Sequence, residues 1–582
     1  MSADNFIEVS YEVANKVGGI HQVLKSKAET MKRQYGEDYY TIGYYDEEKA
    51  KTEFAPRKCP KFGGAVKELE EEGIEVHCGV WRVPGQPKCL LIDPSGMEKS
   101  VDDIKQEMWD EHEVDSMNAG EDFDDPVKWS YAVGKLIGAA EEAMEGSTVV
   151  QLHEWLSGPA MLNYEASTVF TTHATVLGRT LSNADFDLES AVSQGSIDQS
   201  LAEQHGVKAK HQVEKMAAEN ADIFTTVSKN TGEEAEAVLG VEPDVILPNG
   251  FNVDDFPNLE ELSFQHKEEK EKVKQFLQAF FEPYYDIDLE NDPRILFTSG
   301  RYEYHNKGVD ILIDALSKLN EREGDPFYFF ILVPTSTKGP SPEVLENMSL
   351  YQELEDYVEG LMPEIRAQLL NALTSDRDPG ETIEELLGQD ESLIESLRDS
   401  FHEKRDKNPP VSAFDLSYPG DQIMDALWEN GLRNRESDRV KIIFYPTYLS
   451  VGDRLMSMGY NEFIKASSAG IFPSYYEPWG YTPVETAANG ALAVTTDMAG
   501  FGQYLQEKTA ESERTGIKIL ERKDRDDETA AENLADIISE FVSYPRTEIT
   551  ERKHNARRLA QLTSWDRLGE NYFEAHRKAL ER

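Results

Sequence analysis

Two glutamates, Glu477 and Glu485, lie in the stretch SYYEPWGYTPVETAANGALAV with seven residues between them. The run AGIFPSYYE predicts a strand whose end carries Glu477 into a loop, where the residue precedes a proline and caps nothing. Thr482, Pro483 and Glu485 predict a capping box, with the threonine at the N-cap and the proline at the first helical position. Glu477 is therefore the candidate for chemistry, whereas Glu485 is a helix cap, a ligand or both.

Four aromatic residues surround Glu477, as a surface that stacks on a sugar or a base would require. They are Tyr475, Tyr476, Trp479 and Tyr481.

Arg301 and Lys307 lie between a predicted strand and a predicted helix in FTSGRYEYHNKGVDILIDAL. Arginine binds phosphate oxygens in a bidentate manner and lysine adds a point charge, so this pair is typical of an anion site. The alternative is that both cations pair with nearby acids. In a chain this acidic, an anionic substrate needs a local cationic pocket, which favours the functional interpretation.

The loop NKVGGIHQVL follows the first predicted strand, and Gly18 and Gly19 open a helix whose N-terminus can meet an anion. Lys16 adds a positive charge there. The loop is not G-x-G-x-x-G, so the fingerprint of nicotinamide and flavin proteins is missing. A tight turn without a ligand is the simpler alternative.

His153 and His173 each end a predicted strand of the first half, and Arg179 follows six residues after the second histidine. Their matching positions indicate a shared site, although a single histidine at a strand end is usually only a hydrogen-bonding residue. No third ligand accompanies them at metal-binding spacing, so we expect no metal.

The 582 residues include 110 Asp and Glu against 59 Lys and Arg, a formal net charge of −51. Such a chain repels phosphate backbones and anionic lipids, which argues against nucleic acid or a membrane as a partner. Cys59, Cys78 and Cys89 form no C-x-x-C pair, which indicates a reducing compartment. The N-terminus lacks a signal-peptide pattern and no apolar run is long enough to span a bilayer, so we expect a cytoplasmic protein.

Short β-branched runs alternate with helical segments, and the series runs twice. This pattern predicts an α/β protein with two Rossmann-like domains of parallel strands facing a cleft. The expected organisation is a first domain over 1–256, a helical linker over 257–293, a second domain over 294–560 with a helical insertion at about 340–438, and a C-terminal helix over 561–582 that packs back on the first domain.

Six motifs in order, YEVANKVGGIHQVL, LHEWLSGPA, FTTHATVLGR, LPNGFNV, GRYEYHNKG and FPSYYEPWGYTPVE, resemble the glycogen synthases of the animal and fungal type. The resemblance implies a GT-B fold and a metal-independent, retaining transfer of glucose from UDP-glucose to the non-reducing 4-hydroxyl of an α-1,4-glucan. It implies no cofactor, because UDP-glucose is a substrate. The alternative is another retaining GT-B enzyme that uses ADP-glucose or a small-sugar acceptor.

The resemblance also implies roles for individual residues. Glu477, His173, Arg301 and Lys307 are the implied catalytic residues, the arginine and lysine holding the diphosphate. The implied donor-binding residues are Lys16, Gly18, Gly19, Arg179, Tyr460, Trp479, Gly480, Tyr481, Thr482 and Glu485, with Tyr460 stacking on uracil and Glu485 toward the ribose. His153 and Asn249 are candidates for the sugar site. Covalent attack by Glu477 and same-face attack both remain open, and we favour the second.

Arginine residues near the C-terminus depart from the family pattern. Eukaryotic members carry a dense arginine helix that senses glucose 6-phosphate, whereas here the arginines are mixed with Thr, Glu and His, which puts strong activation in doubt. They are Arg546, Arg552, Arg557 and Arg558. The acidic helical insertion resembles the arms that family members use to assemble, so we expect a homo-oligomer, a tetramer by hypothesis.

Overall fold

Two large β-sheets form the framework of the protein in the computed structural model. The structure describes residues 3–184, 186–289, 292–375, 378, 380–381, 384 and 391–582. The first sheet has nine strands in the order β3-β4-β5-β2-β1-β6-β7-β8-β9. All neighbours are parallel except β3–β4 and β4–β5. Its strands are β1 (Asn5–Val9), β2 (Tyr39–Tyr44), β3 (Phe54–Pro56), β4 (Glu75–Trp81), β5 (Lys88–Asp93), β6 (Thr148–His153), β7 (Ser167–Thr172), β8 (Ile223–Thr226) and β9 (Val245–Ile246).

Helices connect these strands and cover both faces of the first sheet, as parallel crossovers require. They are α1 (Ile20–Tyr35), α2 (Glu47–Glu53), α3 (Gly63–Glu71), α4 (Val101–His112), α5 (Glu121–Ala140), α6 (Val176–Asn183), α7 (Leu188–Ser193), α8 (Ser200–Gln204), α9 (Lys208–Asn220) and α10 (Lys229–Leu239).

The second sheet has six parallel strands in the order β14-β11-β10-β15-β16-β17. A separate antiparallel pair, β12–β13, flanks the helical insertion. The strands are β10 (Ile295–Ser299), β11 (Phe327–Leu332), β12 (Thr337–Pro340), β13 (Phe414–Leu416), β14 (Val440–Phe444), β15 (Ala469–Ile471), β16 (Leu492–Thr496) and β17 (Ile517–Leu520).

The helices of the second half include a long exposed arm, α13, at the start of the insertion. They are α11 (Leu259–Phe281), α12 (Val309–Asn320), α13 (Pro342–Leu373), α14 (Glu391–Phe401), α15 (Gln422–Glu429), α16 (Tyr460–Ala466), α17 (Tyr481–Ala488), α18 (Gly500–Lys508), α19 (Asp527–Ser543), α20 (Arg546–Ala560) and α21 (Trp565–Ala579). None of the described helices is long and apolar enough to cross a membrane.

Strand β11 shows why these apolar runs become central strands. All six of its residues are buried. Phe327, Phe329 and Ile331 join the hydrophobic cluster on one face of the sheet, while Tyr328 and Phe330 join the cluster on the other. Because successive strand side chains point to opposite faces, a continuous apolar run fits only a sheet covered on both sides. The predicted pair of parallel α/β sheets is confirmed.

The C-terminal helix α21 lies against the first sheet rather than the second. Its Trp565, Leu568 and Tyr572 are buried in the cluster that also contains the first strand. The Trp565 indole N–H donates to the Ser26 hydroxyl at 2.8 Å, and the Phe251 N–H donates to the carbonyl of Thr563 at 3.0 Å. The last helix therefore completes the core of the first domain.

Candidate active site

Loops that follow the carboxyl ends of strands in both sheets meet across a cleft. Asn306, after β10, accepts a 2.6 Å hydrogen bond from the Ser182 hydroxyl and donates one of 2.6 Å to Asn183, both on α6. The side-chain amide of Gln503, on α18, donates a hydrogen bond to the side-chain oxygen of Asn230, at the start of α10. Open α/β sheets bind ligands at this edge, so these contacts locate the region in which to look for a site.

Glu477 lies at the bottom of this cleft in an ion pair. Its Oε2 is 2.5 Å from Nζ of Lys307, and about one fifth of each side chain is exposed, 19% and 18% respectively. Its carbonyl accepts the N–H of Gly500 at 3.1 Å, which ties the loop to α18. Gly480 has φ of 103°, and a Cβ there would stand 3.3 Å from Cγ of Glu477. The glycine therefore permits both the turn and the close approach of the carboxylate.

The predicted cationic pocket contains two further arginines in different states. Arg301 is 65% exposed at its side chain and pairs with Glu303 at 2.8 Å. Arg179 forms no ion pair with any described residue. Partial desolvation opposes its charge, but Glu154 and other acidic groups outweigh it and raise the pKa of Arg179. The acid-pairing alternative thus applies to Lys307 and Arg301, whereas Arg179 keeps its charge available to a ligand.

The Gly18–Gly19 loop opens a helix as predicted, and the first anion it meets belongs to the protein itself. Gly19 is the N-cap of α1 and offers no capping side chain. The carboxylate of Glu12 accepts the N–H groups of Gly18 at 2.8 Å and His21 at 2.9 Å. A negatively charged hydrogen-bond acceptor therefore fits the start of this helix.

The predicted capping box at Thr482 is wrong. Helix α17 begins at Tyr481 with Gly480 as N-cap and no side-chain cap, because the left-handed glycine starts the helix two residues earlier. Glu485 is consequently the fifth residue of the helix, and its carboxylate receives no hydrogen bond from the described residues. Burial raises the pKa of Glu485 to about 7, although the positive charge of Lys16 across the cleft acts to lower it.

The two strand-end histidines are brought together, as their positions predict. Nδ1 of His153 lies 3.0 Å from Nε2 of His173. Nε2 of His153 lies 3.1 Å from the buried carboxylate of Glu8. The sequence motifs did not indicate this contact. Glu8 in turn pairs with Lys27 of α1. Both partners lie in segments that read simply as a strand and a helix.

Glu154 is a second residue that sequence analysis missed. It is buried and has φ of 68°, which is unusual for a residue other than glycine. Its carboxylate accepts the backbone N–H of His173 at 3.0 Å, and burial raises its pKa despite the nearby Arg179. The signal was present in the motif LHEW, where Glu154 directly follows His153.

Two more carboxylates are buried near Glu154, one on α9 and one on α10. Glu234 accepts the hydroxyls of Thr175 at 2.6 Å and Tyr476 at 3.1 Å. Burial raises its pKa to about 7. Glu214 accepts the Thr172 hydroxyl at 3.1 Å, and burial and Glu154 raise its pKa well above the usual range. Neither glutamate stands out in sequence, because both lie inside ordinary helices.

The aromatic surface expected around Glu477 is only partly present. Trp479 is 3% exposed and packs against Phe501 and Tyr504, so its ring is not free to stack on a ligand. Tyr481 donates its hydroxyl to the carbonyl of Gly250 at 3.1 Å and is likewise committed to packing. These two residues read as surface aromatics because the sequence does not show that Trp479 packs against α18 and Tyr481 against the first domain.

Two other candidates lie near the cleft. Tyr460 begins α16 and its hydroxyl lies 2.6 Å from that of Ser299, at the end of β10. Asn249 is buried, and its side-chain oxygen has no hydrogen-bond partner among the described residues.

A cavity of about 290 Å³ adjoins Glu477 between the two domains. Glu189 of α7, Glu233 of α10, Tyr475 and Lys523 contribute to its walls. Five glutamates and one lysine line it, so it repels a diphosphate and suits a neutral, hydroxyl-rich molecule.

Comparisons with known proteins bear on this site. A family model described as glycogen synthase matches residues 8–582. The chain belongs to the glycogen synthase family. The glycogen [starch] synthase of Neurospora crassa is 32% identical over 593 residues, covering 99% of this chain and 83% of that protein. The liver glycogen [starch] synthase of Homo sapiens is 32% identical over 591 residues with the same coverage, 99% and 83%.

The fold of this glycogen synthase family member is also found in a solved structure. The catalytic domain of starch synthase IV from Arabidopsis thaliana, bound to ADP and acarbose, matches with a TM-score of 0.54 at 14% identity, covering 100% of both chains. The predicted GT-B fold is confirmed, as is the assignment to the glycosyltransferases.

The C-terminal arginines of this family member are partly engaged within the protein. Arg552 on α20 binds the Glu548 carboxylate and the carbonyl of Thr515. Arg557 has one buried guanidinium nitrogen without a partner among the described residues. Arg546 is the first residue of α20, and Arg558 lies in its last turn.

Proposed function

We propose that this protein transfers glucose from UDP-glucose to the non-reducing 4-hydroxyl of an α-1,4-glucan, with retention of anomeric configuration. Membership of the glycogen synthase family supports a nucleotide-sugar donor and a glucan acceptor. The observation that carries the proposal is the Lys307–Glu477 pair at the bottom of the cleft. It brings a cation, of the kind that binds phosphate, to 2.5 Å from a carboxylate in the same cleft.

The leaving diphosphate is proposed to meet three cations and the N-terminus of α17. Lys307 and Arg301 lie on the second domain, and Arg179 faces them from the first. The N-terminus of α17 lacks a capping side chain, whereas at the start of α1 the Glu12 carboxylate accepts the N–H groups of Gly18 and His21. Negative charge that develops on the departing phosphate is stabilised by such preorganised donors and charges. These groups supply the charge stabilisation without a metal, so we propose a metal-independent transfer.

The sugar is proposed to lie between Glu477 and His173, with Asn249 and His153 behind it. As the anomeric C–O bond breaks, the electron pair leaves with the diphosphate and the ring becomes positively charged. The Glu477 carboxylate stabilises that ring charge. In same-face attack, the acceptor 4-hydroxyl forms the new C–O bond and its proton passes to the leaving phosphate, so charge and atoms balance.

The nucleoside is proposed to bind at α16 and α17. Tyr460 offers a ring for the base at the start of α16. Glu485 has no hydrogen-bond donor of its own among the described residues, so its carboxylate is available to ribose hydroxyls. Lys16, Gly480 and Thr482 border this position on the two facing loops.

The acceptor chain is proposed to enter through the cavity beside Glu477. Its carboxylates can accept hydrogen bonds from sugar hydroxyls, and Tyr475 offers an apolar face. The excess of glutamates there keeps the diphosphate on the Lys307 side, so donor and acceptor are separated by charge.

The alternative is a retaining enzyme of the same fold that uses ADP-glucose or a small sugar. Incubation of the pure protein with UDP-glucose or ADP-glucose plus glycogen, following nucleotide release, separates these possibilities. We expect release with UDP-glucose and glycogen. Release only with ADP-glucose, or only with a small sugar in place of glycogen, would favour the alternative, and no release with any pair would reject both.

We also propose a homo-oligomer assembled through the α13 arm. Val358, Met362, Leu370 and Leu373 are exposed there. Their spacings place all four on one face of the helix. Exposed apolar rows of this kind are typical of interfaces, and a second copy can cover them.

The three cysteines are unpaired, which supports a reducing compartment, and we propose the cytoplasm.

A further inference from the structure

A line of buried polar contacts runs from the core of the first domain to the cleft. Lys27 and Glu8 form an ion pair in which neither side chain has exposed surface. The Tyr39 hydroxyl donates to Oε2 of Glu8 at 2.5 Å. Nε2 of His153 lies 3.1 Å from Oε1 of Glu8, and Nδ1 of His153 lies 3.0 Å from Nε2 of His173. Hydrogen bonds thus connect β1, β2, β6 and the residue after β7, and the ion pair connects α1 to them.

The charge states along this line follow from burial and from the ion pair. Burial disfavours the charged carboxylate, but Lys27 and His153 outweigh it and hold the pKa of Glu8 far below its usual range. Burial lowers the pKa of His153. Burial, with His153 and Lys27, lowers the pKa of His173 well below its usual value. At neutral pH the line therefore contains an ionised carboxylate and two neutral imidazoles.

Because both imidazoles are neutral, each hydrogen bond along this line has one defined donor and one defined acceptor. An ionised carboxylate only accepts hydrogen bonds, so His153 must carry its proton on Nε2 and donate to Glu8. Nδ1 of His153 is then a bare acceptor, and His173 must donate to it from Nε2. Nδ1 of His173 is left without a proton and receives no hydrogen bond from the described residues.

We propose that Glu8 and Lys27 are positioning residues that fix the tautomer of His173, so that its bare Nδ1 accepts a hydrogen bond from a hydroxyl of the transferred hexose. The ion pair fixes which ring nitrogen of His153 carries the proton. His153 in turn fixes which ring nitrogen of His173 carries one. This role rests on the proposed function only for the identity of the ligand, since the tautomer is a property of the protein alone.

The direction of that bond matters in the transition state. A hydroxyl that donates to His173 gains electron density on its oxygen, which stabilises the positive charge that develops on the ring. A hydroxyl that accepts from the histidine loses electron density and has the opposite effect. In the ground state the hydroxyl can rotate to suit either tautomer, so the difference falls on kcat rather than on donor KM.

The test removes the ion pair without leaving a lone buried charge. The variant Glu8→Leu/Lys27→Met/Tyr39→Phe replaces all three polar groups by apolar ones of similar volume, a change that cores often tolerate. With no acceptor at Nε2, His153 is expected to move its proton to Nδ1 and reverse its bond with His173. The proton of His173 then appears on Nδ1.

Nitrogen-15 spectra of histidine-labelled protein distinguish protonated from bare ring nitrogens, and His173→Gln assigns the signals. We expect a bare Nδ1 on His173 in the native protein and a protonated one in the triple variant. The control Tyr39→Phe keeps Glu8 and Lys27 and should retain the native tautomer. With UDP-glucose and glycogen, kcat of the triple variant should fall about 10- to 100-fold, the range set by one hydrogen bond to a charged centre.

Protonated Nδ1 of His173 in the native protein would overturn the proposal even if the triple variant failed to fold. So would a folded triple variant that keeps both the native tautomer and the native kcat. A bare Nδ1 in a protein without turnover would instead contradict the proposed function and leave the tautomer assignment standing.

Discussion

The ammonium group of Lys307 lies 2.5 Å from the carboxylate of Glu477, although 170 residues separate the two in sequence. The pair joins the loop after β10 to the loop after β15, which are neighbouring strands. Each group balances the charge of the other. In the proposed reaction we expect binding of the nucleotide-sugar to loosen this pair, so that the lysine turns to phosphate and the carboxylate faces the sugar ring.

Neutralising Lys307 should weaken the donor complex and slow the reaction. We expect Lys307→Met to reduce kcat/KM for UDP-glucose about 10- to 1,000-fold, because a charge-assisted hydrogen bond is lost and Glu477 is left unpaired. Steady-state kinetics at saturating glycogen provide the measurement. The matched control is Lys508→Met, at an exposed lysine at the end of α18. Equal kinetics in both variants would contradict the assignment.

Glu485 should make stability depend on pH. Its pKa is about 7 in the folded protein, above the usual value of 4.5, because burial disfavours the charged form. The folded state therefore binds the proton more tightly, and its stabilising contribution is present below about pH 4.5 and is lost as pH rises through 7. In urea unfolding between pH 5 and 8, Glu485→Gln should show a smaller loss of stability than the native protein.

The control for that measurement is Glu507→Gln, at an exposed glutamate of α18. This variant should follow the native pH dependence. A Glu485→Gln curve parallel to the native one would show that the carboxylate ionises as freely in the folded protein as in the unfolded chain.

Charges placed on the α13 arm should dissociate the proposed oligomer and leave the cleft unchanged. We expect Met362→Glu/Leu373→Glu to elute at the monomer mass of 65.8 kDa, because burying either carboxylate at an interface is costly. Light scattering after size exclusion gives the mass. Tyr418→Ser, at an exposed tyrosine outside the arm, should leave the mass of the native assembly unchanged. A native protein that is already monomeric at this mass would reject the oligomer.

The elements and the pairing of the two histidines could be predicted from sequence because they depend on local pattern. The runs that became β6 and β7 are short and apolar, and His153 and His173 stand at or just after their ends. Parallel neighbours bring such positions to one edge of a sheet. Family motifs then pointed to Glu477 and Lys307 as residues of one site.

Other features depend on tertiary contacts that local pattern does not contain. The Glu8–Lys27 pair joins a strand to a helix in the core, and nothing in the sequence of either segment indicates that these two residues meet. The capping prediction at Thr482 failed because the left-handed Gly480 starts the helix earlier. Trp479 reads as a surface aromatic because the sequence does not show that Phe501 and Tyr504 of α18 pack against its ring.

The most direct test of the central claim is UDP release from UDP-glucose in the presence of glycogen, compared between the native protein and Glu477→Gln. We predict sustained release by the native protein, with glucose incorporated into the glycogen. In the variant we expect release to fall at least about 100-fold, because a carboxylate charge at the reacting centre is lost, while UDP-glucose still binds by calorimetry. Native-like release by Glu477→Gln would contradict the account.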